Sequence, residues 1–289
     1  MNKVKLYNII EAIAFILVVA TIVATIAAIL SLLTTPAAAA AEAQYVIATG
    51  KAGGGYDRRA QDMAERLKQR QMPTDILNLN GSDEISLAVC AKRAQIGIMQ
   101  IDAIYARSLE GCTMKPVGVY GEEVAVLLFP PKSDMDELSD LNAQSAVMVD
   151  TIGSGTDLFW NTIVRIETGD DGSGDEWAKA RIVNDPLELA MASATMGDVQ
   201  ALALVRKPDS PDIVRLLELG WTMGELWDKD INDLQFRGAE LYESAKIEVR
   251  YGRSKARDYG YVVRSFIVVG NDVANGDKNA DAAIVKAAQ

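Results

Sequence analysis

The chain has 289 residues, 49% of them hydrophobic and 24% charged, a balance that suits one large or two medium globular domains without staples. Forty acids outweigh 29 bases for a net charge of -11, which excludes a duplex-binding surface built on displaced phosphate counterions and with it nucleic acid as a partner. There is no histidine, so Ser–His–Asp, Cys–His and imidazole–zinc chemistry are all excluded.

Lys3 and Lys5 precede an apolar run over residues 12–33, and alanines around Pro36 lead to Ala43. Two readings stand. The segment is a secretory signal cut after Ala41-Glu42-Ala43, or it is a retained anchor, since at 1.5 Å per residue the run spans roughly 33 Å, enough to cross a bilayer. On both readings residues 1–43 engage a membrane at least during export, the lysines stay inside, and the rest is periplasmic or otherwise extracytoplasmic. Cys90 and Cys112, an even pair in an exported chain, suggest a disulfide; two free buried cysteines are the alternative. No metal-ligand spacing is present, and no cofactor is implied.

Residues 45–48 read as a short buried strand running into the turn Thr49-Gly50-Lys51-Ala52-Gly53-Gly54-Gly55-Tyr56. Ala60, Met63, Ala64 and Leu67 then mark one helix face, stopped by Pro73. A second strand covers 75–79, and Gly81-Ser82 opens a second helix with Ser82 as its N-cap. A third strand at 96–99 leads through Gln100 and Asp102 into a helix ending at Leu109. Residues 122–129 form a further strand closed by Pro130-Pro131, where the chain first crosses between lobes.

The pattern repeats with a strand at 146–149, the turn Gly153-Ser154-Gly155-Thr156, and a helix carrying Leu158, Phe159, Ile163 and Ile166. Residues 168–176 are a solvated loop whose acids fail the calcium-loop spacing. Strands at 182–183 and 201–205 flank a helix over 186–194, Trp221 and Trp227 pack the later helices, and 261–269 return to the first lobe. Strand–helix alternation implies an α/β fold of two lobes, each a mostly parallel sheet flanked by helices. Residues 44–129 with 245–289 make lobe 1, and 130–244 make an inserted lobe 2.

A strand ending in glycines before a helix leaves backbone N–H groups unpaired at the positive end of the helix dipole, which makes an anion site without a charged side chain. Each lobe has one such turn, and chain reversal alone is the plainer reading of either. Lys51, Arg58 and Arg59 sit where cations oppose the dipole, so a bound carboxylate would compensate them; solvated charges offset by Asp57 and Asp62 are the alternative. Tyr56 either covers an apolar part of a ligand or packs in the core. Gln100 and Asp102 end the third strand within reach of polar ligand groups, Asp102 also serving as a cap candidate, and Tyr120 stands at the rim.

Four segments in order resemble the TAXI family of solute receptors from tripartite periplasmic (TRAP) transport systems. They are Ala48-Thr49-Gly50 with Gly54-Gly55-Tyr56, Gly81-Ser82 with Ile96-Gly97-Ile98-Met99-Gln100-Ile101-Asp102, Gly153-Ser154-Gly155-Thr156, and 263–273. The resemblance implies a type 2 periplasmic-binding fold that clamps a small carboxylate, of the amino acid or dicarboxylate class, and hands it to a membrane permease. It implies that Thr49, Gly50, Gly54, Gly55, Tyr56, Gln100, Ser154, Gly155 and Thr156 line the site; the charges and positions of Lys51 and Asp102 add those two. The chain departs from the family at Lys51, at Asp57-Arg58-Arg59 and in its short C-terminal helix. A membrane-anchored sensor on the same fold is the second reading. An enzyme stands third, because no nucleophile is paired with a base.

Overall fold

The computed structural model describes residues 45–169, 172–270 and 278–289. The apolar run 12–33 lies outside them, and no helix among the described residues is long and apolar enough to cross a membrane. The first half of the chain alternates as expected: β1 (Tyr45–Thr49), α1 (Gly55–Lys68), β2 (Thr74–Asn78), α2 (Ser82–Cys90), β3 (Ile96–Gln100) and α3 (Ile101–Leu109). The long strand β4 (Met114–Phe129) leads to a second alternation of β5 (Ala146–Met148), α4 (Gly155–Thr168), β6 (Arg181–Val183), α5 (Ala190–Met196), β7 (Ala201–Arg206) and α6 (Pro211–Glu218). After β8 (Thr222–Gly224), α7 (Lys229–Asp233) and the small hairpin β9 (Gln235–Phe236) and β10 (Ala239–Glu240), the chain forms β11 (Glu243–Tyr251), the 17-residue β12 (Ser254–Gly270) and α8 (Lys278–Ala288).

These strands make one ten-stranded sheet in the order β2-β1-β3-β12-β4-β7-β5-β6, with β11 on β12 and β8 on β4. Within each half the neighbours of β1 and of β5 run parallel. β12 lies antiparallel to β3 and to β4, and β4 antiparallel to β7. The two long strands therefore belong to both halves: β12 pairs with β3 from Ser265 to Val269, while β4 pairs with β7 from Val124 to Leu128. Within the stretch that β12 shares with β3, the β4–β12 register slips at Ser265/Phe266 and Ile267/Val268. Bulges of this kind bend the strand and increase its twist.

Parallel strands covered on both faces should read as continuous apolar runs, and β1, β3, β5 and β7 do. Ile47, Ile98 and Ile267 face Met63 and Leu67 of α1 and Ile284 of α8. Ala48 and Met99 face Ile85 of α2 and Ile104 of α3. In the second half Val147, Phe159 and Trp160 lie in one core, and Met148, Leu202 and Ile213 in the other. Each fully buried Leu, Ile, Met or Phe side chain contributes about 1.5–3 kcal/mol, so four such layers hold a sheet this wide.

Cys90, at the end of α2, and Cys112, just past α3, are joined in a disulfide. Several local expectations are corrected. β4 begins at Met114, eight residues early, because Pro116, Gly118 and Gly121 carry no apolar signal of their own and are drafted as strand by β12. β11 is extended although three of its residues are charged on the outward side, because Ile247 and Val249 pack beneath them. Gly81, not Ser82, occupies the N-cap of α2, and the Ser82 hydroxyl accepts from the Gln100 N–H instead. The helix expected over 186–194 begins as a 3-10 turn and becomes α5 at Ala190. Trp221 is buried, but Trp227 is 46% exposed.

Candidate functional site

Both glycine turns open on one cleft of about 1000 Å3 between the two halves of the sheet. Gly50, Lys51, Gly54, Gly55 and Tyr56 line it from the first half, Ser154 and Gly155 from the second. The two turns are built alike. Gly53 (φ +76°) and Gly153 (φ +78°) take the left-handed conformation that glycine adopts most easily. The amide of Gly54 donates to the Lys51 carbonyl, and that of Ser154 to the Thr151 carbonyl, each at 3.0 Å.

A carboxylate braces each turn. Asp57 accepts from the Gly53 N–H (2.7 Å), from Gln61 Nε2 one helical turn on (2.9 Å), and from Asn78 Nδ2 at the end of β2 (2.8 Å). Asp157 accepts from the Gly153 N–H (2.9 Å), from Asn161 Nδ2 (2.9 Å) and from Asn184 Nδ2 just beyond β6 (2.7 Å). The Gly53 N–H, the asparagine and the glutamine lower the pKa of Asp57, keeping it ionised. Both carboxylates are buried. The sequence carries this signal as an Asp two residues after each last turn glycine, with an amide side chain four residues further on; of the two alternatives for Asp57, a solvated charge does not hold, because the carboxylate is buried.

The braces leave the next amides free. Among the described residues no acceptor is bonded to the N–H groups of Gly55 and Tyr56, or of Gly155 and Thr156. Two pairs of first-turn amides thus flank the cleft at two positive helix ends, the arrangement that attracts an anion.

The halves meet closely around this space. A Cβ on Gly81 would stand 2.1 Å from the Gly153 carbonyl oxygen, and one on Gly155 would stand 2.5 Å from Gln100 Nε2. At the base, Gln100 Nε2 donates to Glu123 Oε2 (3.2 Å), and the Tyr56 hydroxyl reaches the same oxygen (3.3 Å) and Ser265 Oγ (2.7 Å). The Tyr120 ring stands edge-on to Tyr56 with centroids 4.9 Å apart. Desolvation raises the pKa of Glu123, against the hydrogen bond from Gln100 and the positive field of Arg206. Tyr56 is pushed well above the usual tyrosine range, first by burial and then by Glu123.

Four of the expected residues are not on the cleft wall. Thr49 is buried at the end of β1, its hydroxyl without a partner among the described residues. Thr156 is buried, its Oγ1 accepting from the Val205 N–H and Arg206 Nη1. Gln100 is buried behind Gly155, reaching the cleft through its hold on Glu123, and its Oε1 has no partner among the described residues. Asp102 points away into the core, where it accepts from the Ala103 N–H (2.9 Å) and the Tyr242 hydroxyl (3.2 Å); burial lifts its pKa to about 7.

The structure adds Glu123 and Arg206, which the strand pattern hid inside apolar runs. Arg206 ends β7 and lines the cleft, donating Nη2 to Asp150 (2.6 Å) and Nε to Asp212 (3.3 Å). Asp150 holds a positive φ of 67° at the start of the second turn, a conformation this pairing helps to hold.

No protein-family model matches the chain, and no curated protein sequence is significantly similar to it. Solved structures do match. XAC2383 from Xanthomonas citri bound to ATP superposes with a TM-score of 0.53 at 11% identity, over 84% of this chain and 82% of that one. The periplasmic sulfonate-binding protein SsuA of a sulfonate ABC transporter from Methylobacillus flagellatus KT gives 0.50 at 13% identity, over 84% and 66%. The periplasmic aliphatic sulphonate binding protein SsuA from Escherichia coli gives 0.48 at 18%, over 84% and 72%. The first two likenesses, at TM-scores of 0.50 and above, show the fold: a mixed α/β sheet like that of a periplasmic sulfonate-binding protein.

Proposed function

We propose that the protein is an extracytoplasmic solute receptor of the TAXI kind, which encloses a small carboxylate-bearing metabolite in the cleft and delivers it to a membrane permease without chemical change. The observation that carries this reading is the pair of glycine turns, Gly54–Tyr56 and Ser154–Gly155, that line one cavity, with the N–H groups of Gly55, Tyr56 and Gly155 bonded to no acceptor among the described residues. A ligand held by both stabilises the shut state by the difference in its affinity for shut and open forms. Lys51 and Arg206 supply positive charge to the anionic group, and Glu123 accepts a donor from the ligand's other end. The hinge is assigned to β4 and β12, with residues 44–129 plus 245–289 as one lobe and 130–244 as the other. Lys51, Tyr56 and Ser154 are the contacts on which selectivity rests, and Thr49, Gln100 and Thr156 support them from behind.

The test is a thermal-shift screen over amino acids, dicarboxylates, sulfonates and nucleotides, followed by native mass spectrometry of the purified protein. A carboxylate present at about a hundred times its Kd should add about 2.7 kcal/mol and raise the midpoint by several degrees. No shift with any carboxylate overturns the reading, and a shift with sulfonates or nucleotides alone replaces the ligand class. The apolar run 12–33 favours one second reading, a receptor that stays anchored and signals rather than feeds a permease. N-terminal sequencing of the exported protein separates the two.

A further inference from the structure

A second feature, away from the cleft, is the hairpin formed by β11 and the first part of β12. From Ala245 to Gly260 these strands pair with each other, Lys246 opposite Tyr259, Glu248 opposite Arg257 and Arg250 opposite Lys255. β12 takes up β4 only from Tyr261 onward. The ribbon has two faces of opposite character. Ile247 and Val249 point inward onto Ile213, Leu216 and Leu217 of α6. Lys246, Arg250, Lys255 and Arg257 are exposed on the other face, and Arg253 is exposed at the turn beside Gly252 (φ +55°).

In a chain of net charge -11, these 16 residues hold five bases and two acids. Of the acids, Glu248 lies between Arg250 (3.3 Å) and Lys255 (3.1 Å), and Asp258 accepts from the Tyr259 N–H. Arg253 and Arg257 have no ion-pair partner among the described residues. Isolated lysines would guard a sheet edge well enough. Five bases gathered on one exposed ribbon of an acidic protein instead produce a local field of the opposite sign.

We propose that this hairpin docks on the anionic headgroups of a phospholipid bilayer. A bilayer is favoured over nucleic acid by the same geometry. Single-stranded nucleic acid needs open aromatic faces on which bases stack, and the Tyr259 ring is covered by the Lys246 ammonium 4.7 Å from its centroid. A duplex follows a long path and would meet the acidic remainder of the chain, whereas the short ribbon presents its bases to a plane. A chain whose first 43 residues read as an export or anchoring sequence also meets a bilayer surface in the course of its life.

The experiment is sedimentation of the full chain with vesicles of phosphatidylcholine, and of phosphatidylcholine with one quarter phosphatidylglycerol. Any partitioning of the N-terminal apolar run is common to both bilayers, so the readout is the ratio between them. Basic residues at an anionic surface act additively, and the ratio should reach about tenfold or more. It should collapse in about 0.5 M salt. It should also collapse in the variant combining Arg253→Glu, Lys255→Glu and Arg257→Glu, while the unfolding midpoint stays near that of the parent. The milder pair Arg253→Gln and Arg257→Gln should give an intermediate ratio, which keeps the test open if the triple variant misfolds. Equal retention by both vesicles, or a parent-like ratio in the folded variants, overturns the proposal. Tighter retention by a short DNA oligonucleotide than by anionic vesicles overturns it in favour of nucleic acid.

Discussion

The turn before α1 and the turn before α4 are the same device set in different company. Gly53 matches Gly153, Gly55 matches Gly155, Asp57 matches Asp157, and Asn78 and Asn184 arrive from equivalent neighbouring strands. What differs is everything that looks outward. The first turn presents Lys51 and the Tyr56 ring; the second presents Ser154, which caps its own helix, and Asp150 tied to Arg206. Shared parts hold the backbone amides in place, and the differing parts are free to choose what those amides hold.

The largest effect tests whether the two turns must approach each other. Gly81→Val places carbon within reach of the Gly153 carbonyl, a backbone atom that cannot swing aside. The shut state should be lost, weakening binding of whatever carboxylate the thermal screen identifies by roughly a hundredfold or more in calorimetric titration. Gly155→Ala meets only the end of the Gln100 side chain, which can rotate at the expense of its bond to Glu123. A loss nearer tenfold is expected there. Equal effects would mean that backbone approach is not what limits closure.

Next in size is the equivalence of the braces. Asp57→Ala and Asp157→Ala each remove a buried carboxylate that accepts three hydrogen bonds, and each should cost about 2–4 kcal/mol in urea denaturation. Costs agreeing to about 1 kcal/mol sustain the comparison. A cost confined to one turn breaks it.

Titration sharpens the contrast between a brace and a core acid. Asp57 has a lowered pKa in the folded protein, so the stability it adds is present above the ordinary carboxylate range and is lost as pH falls through the folded value. Asp102 is the reverse. With a folded value of about 7 against an ordinary 3.8, it binds a proton in the folded state that the unfolded chain gives up, so its contribution falls as pH rises toward about 7 and is flat beyond. The stability gained by Asp102→Asn over the parent should therefore grow between about pH 4 and 7, by at most a few kcal/mol. The deficit of Asp57→Asn should shrink on acidification. Urea midpoints at stepped pH read both slopes.

The sequence made the parallel alternation legible because β1, β3, β5 and β7 are buried on both faces, so no polar period interrupts Val, Ile, Ala and Leu. The glycine turns were legible for the same local reason. The reach of β4 and β12 was not, since Pro116, Gly118 and Gly121 are strand only because a partner strand demands it. Nor was the hairpin, whose inward Ile247 and Val249 are outnumbered by outward charge. Asp102 and Thr156 lie at turn ends where sequence places ligand contacts, yet each turns inward to satisfy a core donor. Direction at a strand end depends on packing from remote segments, Tyr242 and Val205 here, and no local pattern encodes it.

The smallest effect separates the two turns at their caps. Ser154 Oγ accepts from the Asp157 N–H at 3.1 Å, while Gly54 offers α1 no side chain. Ser154→Ala should cost about 1 kcal/mol, the usual worth of a serine cap. Gly54→Ser would supply the missing acceptor to the Asp57 N–H from an extended backbone that serine tolerates, but its Cβ would lie 3.0 Å from the Lys51 carbonyl. The gain should then be a few tenths of a kcal/mol or nothing. A full 1 kcal/mol gain would mean that the first turn yields to a side chain, and that its glycine is kept for the ligand's approach rather than for the fold.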